Sequence, residues 1–217
     1  KKITVTFAET ESEVKEEKYT ISEDVSTIEE NAFYECNSLK RIIIPDSVTE
    51  IGKRNFYYCD SLTIYCTSAS YAKEYAIENN IRYIDLSKYS QITVDNKKYL
   101  TKISQNTTIS QLKEKIETNA PIKITKGEQE ITDEKTLVGT GMDLQIGDET
   151  YTLVVTGDLN GDGKIGLTDL ANLKLSMVGK RELSTASTLA GDINGDGKTS
   201  LSDLAKLKMY LVGKITI

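Results

Sequence analysis

The chain has 217 residues, with 27 basic and 33 acidic side chains and a formal charge of −6. At roughly 100–200 residues per domain this is one large domain or two to three small modules, and the acidic balance excludes bulk nucleic-acid binding. Histidine is absent and there are three cysteines, which excludes Ser-His-Asp and Cys-His catalysis, His-ligated zinc and a disulfide framework; no run reaches the ~18 apolar residues of a membrane span.

The first residue is Lys1, so the expectation is a mature chain or a fragment. Charge falls in three blocks. Residues 1–86 carry 10 basic and 16 acidic side chains (10 − 16 = −6), residues 87–155 carry 9 and 10 (−1), and residues 156–217 carry 8 and 7 (+1). Three blocks predict three modules with these bounds.

In the first block, residues 25–39 (VSTIEENAFYECNSL) align with 48–62 (VTEIGKRNFYYCDSL) at an offset of 23. Ile28/Ile51, Phe33/Phe56, Cys36/Cys59 and Leu39/Leu62 recur in register. A period of about 20–29 residues with buried Leu, Ile and Cys marks a repeat in which each turn adds a strand to a ladder. Residues 41–44 read as a strand stopped by Pro45, 70–80 as a short helix and 81–84 as a last strand. The acidic residues of 9–30 read as a solvated charge run. The pattern resembles the leucine-rich repeats of bacterial cell-surface and secreted proteins. That resemblance covers about 19–85 and implies the capped C-terminal end of a longer solenoid that binds a protein or glycan ligand. Tyr19, Tyr34, Tyr57, Tyr58 and Tyr65 are the candidate contact patch, against the plainer reading as ordinary surface tyrosines. Cys36 and Cys59 are expected as free thiols on neighbouring turns, and Cys66 has no histidine to activate it.

The second block has no repeat. Residues 90–95 and 98–103 read as a hairpin around Asn96, and 108–116 as a helix with Ile109, Leu112 and Ile116 on one face. Residues 121–125 read as a strand, and 142–146 with 150–155 as a hairpin around Gly147-Asp148. This is a small α/β or sandwich-like module. Gly139-Thr140-Gly141 lacks the lysine and spacing of a phosphate cradle. The Asn106-Thr107-Thr108 sequon reads as inert. The last strand runs straight into the third block, so the second module is expected to pack on the third and stiffen it.

In the third block, 157–180 (GDLNGDGKIGLTDLANLKLSMVGK) aligns with 191–214 (GDINGDGKTSLSDLAKLKMYLVGK) at an offset of 34, with 16 of 24 positions identical. Each copy sets oxygen ligands at positions 1, 3, 5 and 12 of a twelve-residue loop. They are Asp158, Asn160, Asp162 and Asp169 in the first, and Asp192, Asn194, Asp196 and Asp203 in the second. Gly163 and Gly197 stand at position 6, where the chain turns sharply, and Lys164 and Lys198 at position 7, which offers a backbone carbonyl. Position 9 is Gly166 or Ser200, where water would complete the shell. A hard cation with about 6–8 oxygen ligands needs this arrangement, and calcium suits it better than magnesium. Two loops predict two ions. The six carboxylates would repel one another without metal, so cation binding would couple to folding. After each loop Leu167, Leu170, Leu173, Met177 and Leu201, Leu204, Leu207, Leu211 follow helical spacing, ended by Gly179 and Gly213. The first loop follows the strand 151–155, and 182–190 reads as a connector, so both loops lack an entering helix.

Loop followed by exiting helix, twice, strongly resembles the dockerin over 157–214, the calcium-dependent module that plugs bacterial secreted proteins into cohesin domains of scaffoldins. The resemblance implies a cohesin partner, contacted at loop positions 10 and 11 and along the exiting helices: Leu167, Thr168, Lys174 and Leu175, and Leu201, Ser202, Lys208 and Met209. It implies a pseudo-twofold surface that a cohesin can meet in two orientations. It further implies a secreted chain in a cellulosome-like complex serving polysaccharide breakdown. The second block looks like the X-type modules that precede dockerins. The fold class is therefore multi-domain α+β: a β-rich repeat solenoid (1–86), an X-like module (87–155) and an all-α dockerin (156–217). The expected function is a non-catalytic interaction protein. The alternatives are the C-terminal fragment of a secreted glycoside hydrolase or peptidase, and a calcium sensor, against which the missing entering helices argue.

Overall fold

The computed structural model describes residues 2–3 and 18–217; the part of the acidic run that precedes residue 18 lies outside them. The chain divides into two compact units, residues 1–88 with 116–120, and residues 89–115 with 121–217. The chain is mixed α/β, with three sheets and five helices among the described residues. No helix there is long and apolar enough to cross a membrane.

The first unit opens with short strands: β1 (Lys2–Ile3), β2 (Lys18–Thr20), β3 (Thr27–Ile28), β4 (Arg41–Ile43), β5 (Glu50–Ile51) and β6 (Thr63–Tyr65). Helix α1 (Tyr71–Glu78) and strand β7 (Arg82–Asp85) follow. The strands form two parallel ladders, β1-β3-β5 and β2-β4-β6-β7. Equivalent residues of successive repeats pair, Thr27 with Glu50 and Ile42 with Ile64, because a fixed repeat length returns the chain to the same height one strand over. Ile28, Phe33, Leu39, Ile42, Ile44, Ile51, Phe56, Leu62 and Ile64 fill the interior. The Phe33 and Phe56 rings stack with centroids 5.3 Å apart.

A buried polar side chain helps tie the two turns. Asn55 is 2 % exposed; its amide donates to Glu29 O (2.8 Å) and Gly52 O (2.9 Å), and its oxygen accepts from Phe33 N (3.1 Å). A buried amide is tolerated only when its donors and acceptor are met in this way. Helix α1 starts at Ser70, whose hydroxyl accepts from Lys73 N (3.3 Å), a standard N-cap. It buries Ala72, Tyr75 and Ala76.

The second unit contributes β8 (Ser90–Val94), β9 (Lys97–Ile103) and α2 (Ile109–Lys115). The next strand, β10 (Glu117–Thr118), belongs to the first unit and pairs antiparallel with β7. The strand at 82–85 is therefore not the last of its sheet: five residues of the middle block close the ladder. Lys73 forms an ion pair with Glu117, and Asn119 bonds the backbone of Tyr83 and Ile81. The second unit continues with β11 (Ile122–Lys126), β12 (Gln129–Glu130), β13 (Asp143–Ile146) and β14 (Glu149–Val155), and then α3 (Leu167–Met177), α4 (Thr185–Gly191) and α5 (Leu201–Leu211). Its sheet has the order β12-β11-β13-β14-β9-β8, parallel only between β14 and β9.

Helix α4 occupies the predicted connector. Ser184 caps it, its hydroxyl accepting from Ser187 N (3.1 Å). Ala186 and Ala190 face Tyr99 and Val154 of the sheet. The second loop therefore does have an entering helix, against the expectation for both loops. Its small residues carry no clear apolar period, and the sheet, not local propensity, decides that they coil. Helices α3 and α5 pack together through Leu159, Leu173 and Leu207, each at most 4 % exposed, with Leu170 and Leu204 partly buried.

Candidate metal centre and docking surface

Both loops fold by the same bonds. In the first, Asp158 Oδ1 accepts from Gly161 N (2.7 Å) and Asp162 N (3.2 Å), and Oδ2 from Gly163 N (3.0 Å). In the second, Asp192 Oδ1 accepts from Gly195 N (2.9 Å) and Asp196 N (3.1 Å), and Oδ2 from Gly197 N (2.8 Å). Asn160 and Asn194 repeat one another: each oxygen accepts from the N–H of the Asp two residues on, and each amide donates to that Asp. Lys164 N and Lys198 N donate to Asp162 and Asp196. Gly161, Gly163, Gly195 and Gly197 all have φ between +76° and +83°, the left-handed region that lets consecutive N–H groups converge on one carboxylate.

Asp169 and Asp203 close the loops. Asp169 Oδ1 accepts from Leu159 N (2.9 Å) and Asn160 N (3.0 Å), and Asp203 Oδ1 from Ile193 N (2.9 Å) and Asn194 N (3.0 Å). Their Oδ2 atoms accept from Gly166 N and Ser200 N at the N-termini of α3 and α5. Ser200 adds its hydroxyl to Asp203 (3.0 Å), so position 9 is a helix cap. Burial raises the Asp169 carboxyl above its ordinary value despite three backbone donors. At Asp203 burial also pushes upward, but the donors from Asn194, Ser200 and Ile193 outweigh it and the carboxyl lies below the usual range.

Among the described residues, the acidic group with one ligand oxygen from each member all within 4.8 Å of one another is Asp192, Asp196 and Asp203. Oxygens 2.3–2.6 Å from a shared calcium are at most about 5 Å apart, so this set fits that ion. The donors are oxygen only, a set that suits calcium, magnesium or manganese better than softer metals.

The loops differ in surroundings. Asp158 is fully buried and its Oδ2 takes a fourth bond from Thr140 N (2.9 Å). Gly161 O accepts from Lys126 Nζ (3.2 Å), Gly163 O from Asn106 N (2.8 Å), and Gln105 Oε1 accepts from Ile165 N (3.1 Å). Gln105 also bonds the Tyr210 hydroxyl of α5. A Cβ on Gly139 would lie 2.2 Å from Gly161 O, so the glycine at 139 serves close approach of two backbones. Nothing lies within 4 Å of such an atom on Gly195 or Gly197. These contacts of Gln105, Asn106, Lys126 and Thr140 had no signal in the sequence beyond the two glycines flanking Thr140.

The predicted contact residues lie outside the helix pair. Leu167 is 76 % and Leu201 75 % exposed, so neither takes part in the packing that their helical spacing with Leu170 and Leu204 would allow. Thr168, Lys174 and Leu175 on α3, and Ser202, Lys208 and Met209 on α5, are exposed too. The Ser202 hydroxyl bonds Asn194 and Ser200. Val178 (61 %) and Val212 (67 %) extend the same stripes at helical spacing; the sequence shows them only as apolar residues beside the terminating glycines.

In the first unit the tyrosine set divides. Tyr65 is 5 % exposed and does not join a contact patch, and Tyr19 is half-buried, packed edge-on against Phe33. Tyr34, Tyr57 and Tyr58 are exposed and touch one another, with centroids 5.7 Å (34–58) and 6.5 Å (57–58) apart. Beside them lies a cavity of about 480 Å³ lined by Glu35, Asn37, Tyr58, Asp60 and Ser61. Cys36, Cys59 and Cys66 are free thiols; burial pushes Cys36 and Cys66 up to about 11, which leaves them protonated and unreactive at neutral pH.

Two family models match. Residues 7–121 match the BspA type leucine rich repeat region, with six copies, and residues 156–212 match the dockerin type I domain. The first match runs past residue 86 and takes in β10. No curated protein and no solved structure matches the chain.

Proposed function

From a chain that belongs to the BspA-type leucine-rich repeat family and carries a type I dockerin domain, we propose a non-catalytic interaction protein that docks onto a cohesin domain in calcium. Dockerin and repeat modules both serve protein association, and the coarse reading is cohesin binding at one end and protein interaction at the other. One observation carries it: the duplicated loops bring Leu167 and Leu201 to the surface at the same position of each copy, 76 % and 75 % exposed. Large apolar side chains held out at a rigid helix start mark a contact surface more than a folding need.

In this reading two calcium ions sit in the loops. Asp158, Asn160, Asp162, Asp169 and the Lys164 carbonyl hold one; Asp192, Asn194, Asp196, Asp203 and the Lys198 carbonyl hold the other. The metal neutralises the carboxylates that precede α3 and α5. Leu167, Thr168, Lys174 and Leu175, or Leu201, Ser202, Lys208 and Met209, meet the cohesin. The parallel ladders are a stretch of solenoid, with Tyr34, Tyr57 and Tyr58 facing a protein ligand, and residues 87–155 support the dockerin as an X-like module. The place of action is extracellular, on a scaffoldin or cell surface.

Calorimetric titration of the whole chain against a small cohesin panel, with calcium and with EDTA, tests this. Saturable one-to-one binding in calcium and none in EDTA is expected. Calcium uptake without binding to any cohesin would overturn it.

A further inference from the structure

The two loops share 16 of 24 residues over their repeats and nearly every internal hydrogen bond, but among the described residues only the first is bonded by residues that precede the dockerin; the second is tied from outside by Thr199 Oγ1, which donates to Thr188 O of α4 (3.1 Å). Thr140 N bonds Asp158 Oδ2, Asn106 N bonds Gly163 O, Lys126 Nζ bonds Gly161 O, and Gln105 Oε1 accepts from Ile165 N. All four come from residues 89–155, before the dockerin match begins at 156. We infer that Gln105, Asn106, Lys126 and Thr140 are positioning residues for the first calcium loop, holding it closed with or without metal, so that calcium governs the folding of the second loop alone.

The physical reason is ordering entropy. A loop that must close around an ion loses conformational freedom on binding, and one already closed does not. Four external bonds to residues 158, 161, 163 and 165 span the loop from its first ligand to the turn before α3. Each satisfies a group that an open loop would present to water, and Asp158, fully buried, sees no water. The second loop has a single such tie, from Thr199 Oγ1 to Thr188 O near its end; Asp196 and Gly197 are exposed, and Gly195 and Gly197 face open space. Its cluster of Asp192, Asp196 and Asp203 stays gathered only against mutual repulsion unless a cation is shared.

The inference rests on the calcium-dependent docking reading above, and amide hydrogen exchange on the full chain separates the two. In EDTA the amides of 159–166 should exchange at least about tenfold more slowly than those of 193–200, the equivalent of one to two net hydrogen bonds. In calcium both should be protected. Gln105→Ala should bring first-loop protection in EDTA down toward that of the second loop, and Gln105→Glu, which keeps the acceptor for Ile165 N, should restore it. Protection of β9 and β14 should stay unchanged in both. Gly139→Ala, which drives the Gly139 backbone off Gly161, should act as Gln105→Ala does. Equal exchange of the two loops in EDTA, or first-loop protection indifferent to both alanine variants, would overturn the inference while leaving cohesin docking intact. Absence of any calcium uptake by calorimetry would overturn both.

Discussion

Two duplications sit in this chain, and they hold themselves together by opposite means. The N-terminal repeat, offset 23, stacks apolar residues: Ile28 on Ile51, Ile42 on Ile64, Phe33 on Phe56. Each added turn buries more of the previous one, and Asn55 supplies a buried polar tie. The C-terminal repeat, offset 34, buries little beyond Leu159, Leu173 and Leu207 and spends its conserved-between-copies residues on carboxylates and glycines. A ladder of apolar side chains carries its own driving force, whereas a cage of carboxylates stores repulsion that a cation must relieve. Repetition in sequence thus says nothing of whether a module stands without a ligand; the chemistry of the repeated positions does.

The sharpest way to break this contrast is in the ladder. Phe33 is 1 % exposed between Tyr19 and Phe56. Phe33→Ala should cost the first unit about 3–5 kcal/mol, read by denaturant unfolding, with calcium uptake by the C-terminal loops unaltered. Parallel loss of calcium binding would show the two repeats to be energetically one.

A smaller effect should follow at the docking surface. Leu167→Ala and Leu201→Ala remove exposed side chains, so stability should change by less than about 0.5 kcal/mol. The double variant should weaken cohesin binding by about 1–3 kcal/mol in calorimetric titration. Each single variant should weaken it less if either helix start can serve. Unchanged affinity in the double variant would remove these leucines from the interface.

The smallest effect concerns the segment 116–120 that closes the ladder. The Lys73 ammonium, by hydrogen bond, and its charge hold the Glu117 carboxyl below its ordinary 4.5, while the same bond raises Lys73. A depressed carboxyl contributes stability that is present above its unfolded value and lost as pH falls through the lowered folded value. Protection of the β7–β10 amides should therefore be flat from pH 7 to 5 and fall only below about 4.5. The pair is solvent-accessible and screening keeps it modest. Glu117→Gln should flatten the acid limb; an unaltered limb would show that other carboxyls set it.

Much was legible in the residues themselves. The hairpins at 90–103 and 143–155, helices α1, α2, α3 and α5, and the two Asp-rich loops follow from turn signals, apolar periods and residue spacing, which are local. The free thiols agree with the expectation for Cys36 and Cys59. Helix α4 was not legible, because Ala and Thr with a cap at Ser184 become helical only against Tyr99 and Val154. Tyr65 and Leu201 could not be sorted by type: one apolar-bodied residue lies inside and the other outside according to which face of strand or helix meets a neighbour.

Sequence by itself determined the two repeat periods, the spacing of the loop carboxylates and the places where helices begin and end, since each is written within a dozen residues. Tertiary structure alone decided that 116–120 leaves the middle block to finish the first sheet, and that Gln105, Asn106, Lys126 and Thr140 meet one Asp-rich loop and not its near-copy. Those pairings join residues 18 to 60 positions apart. No local pattern encodes them, because what selects them is the satisfaction of buried backbone groups once the sheet has formed.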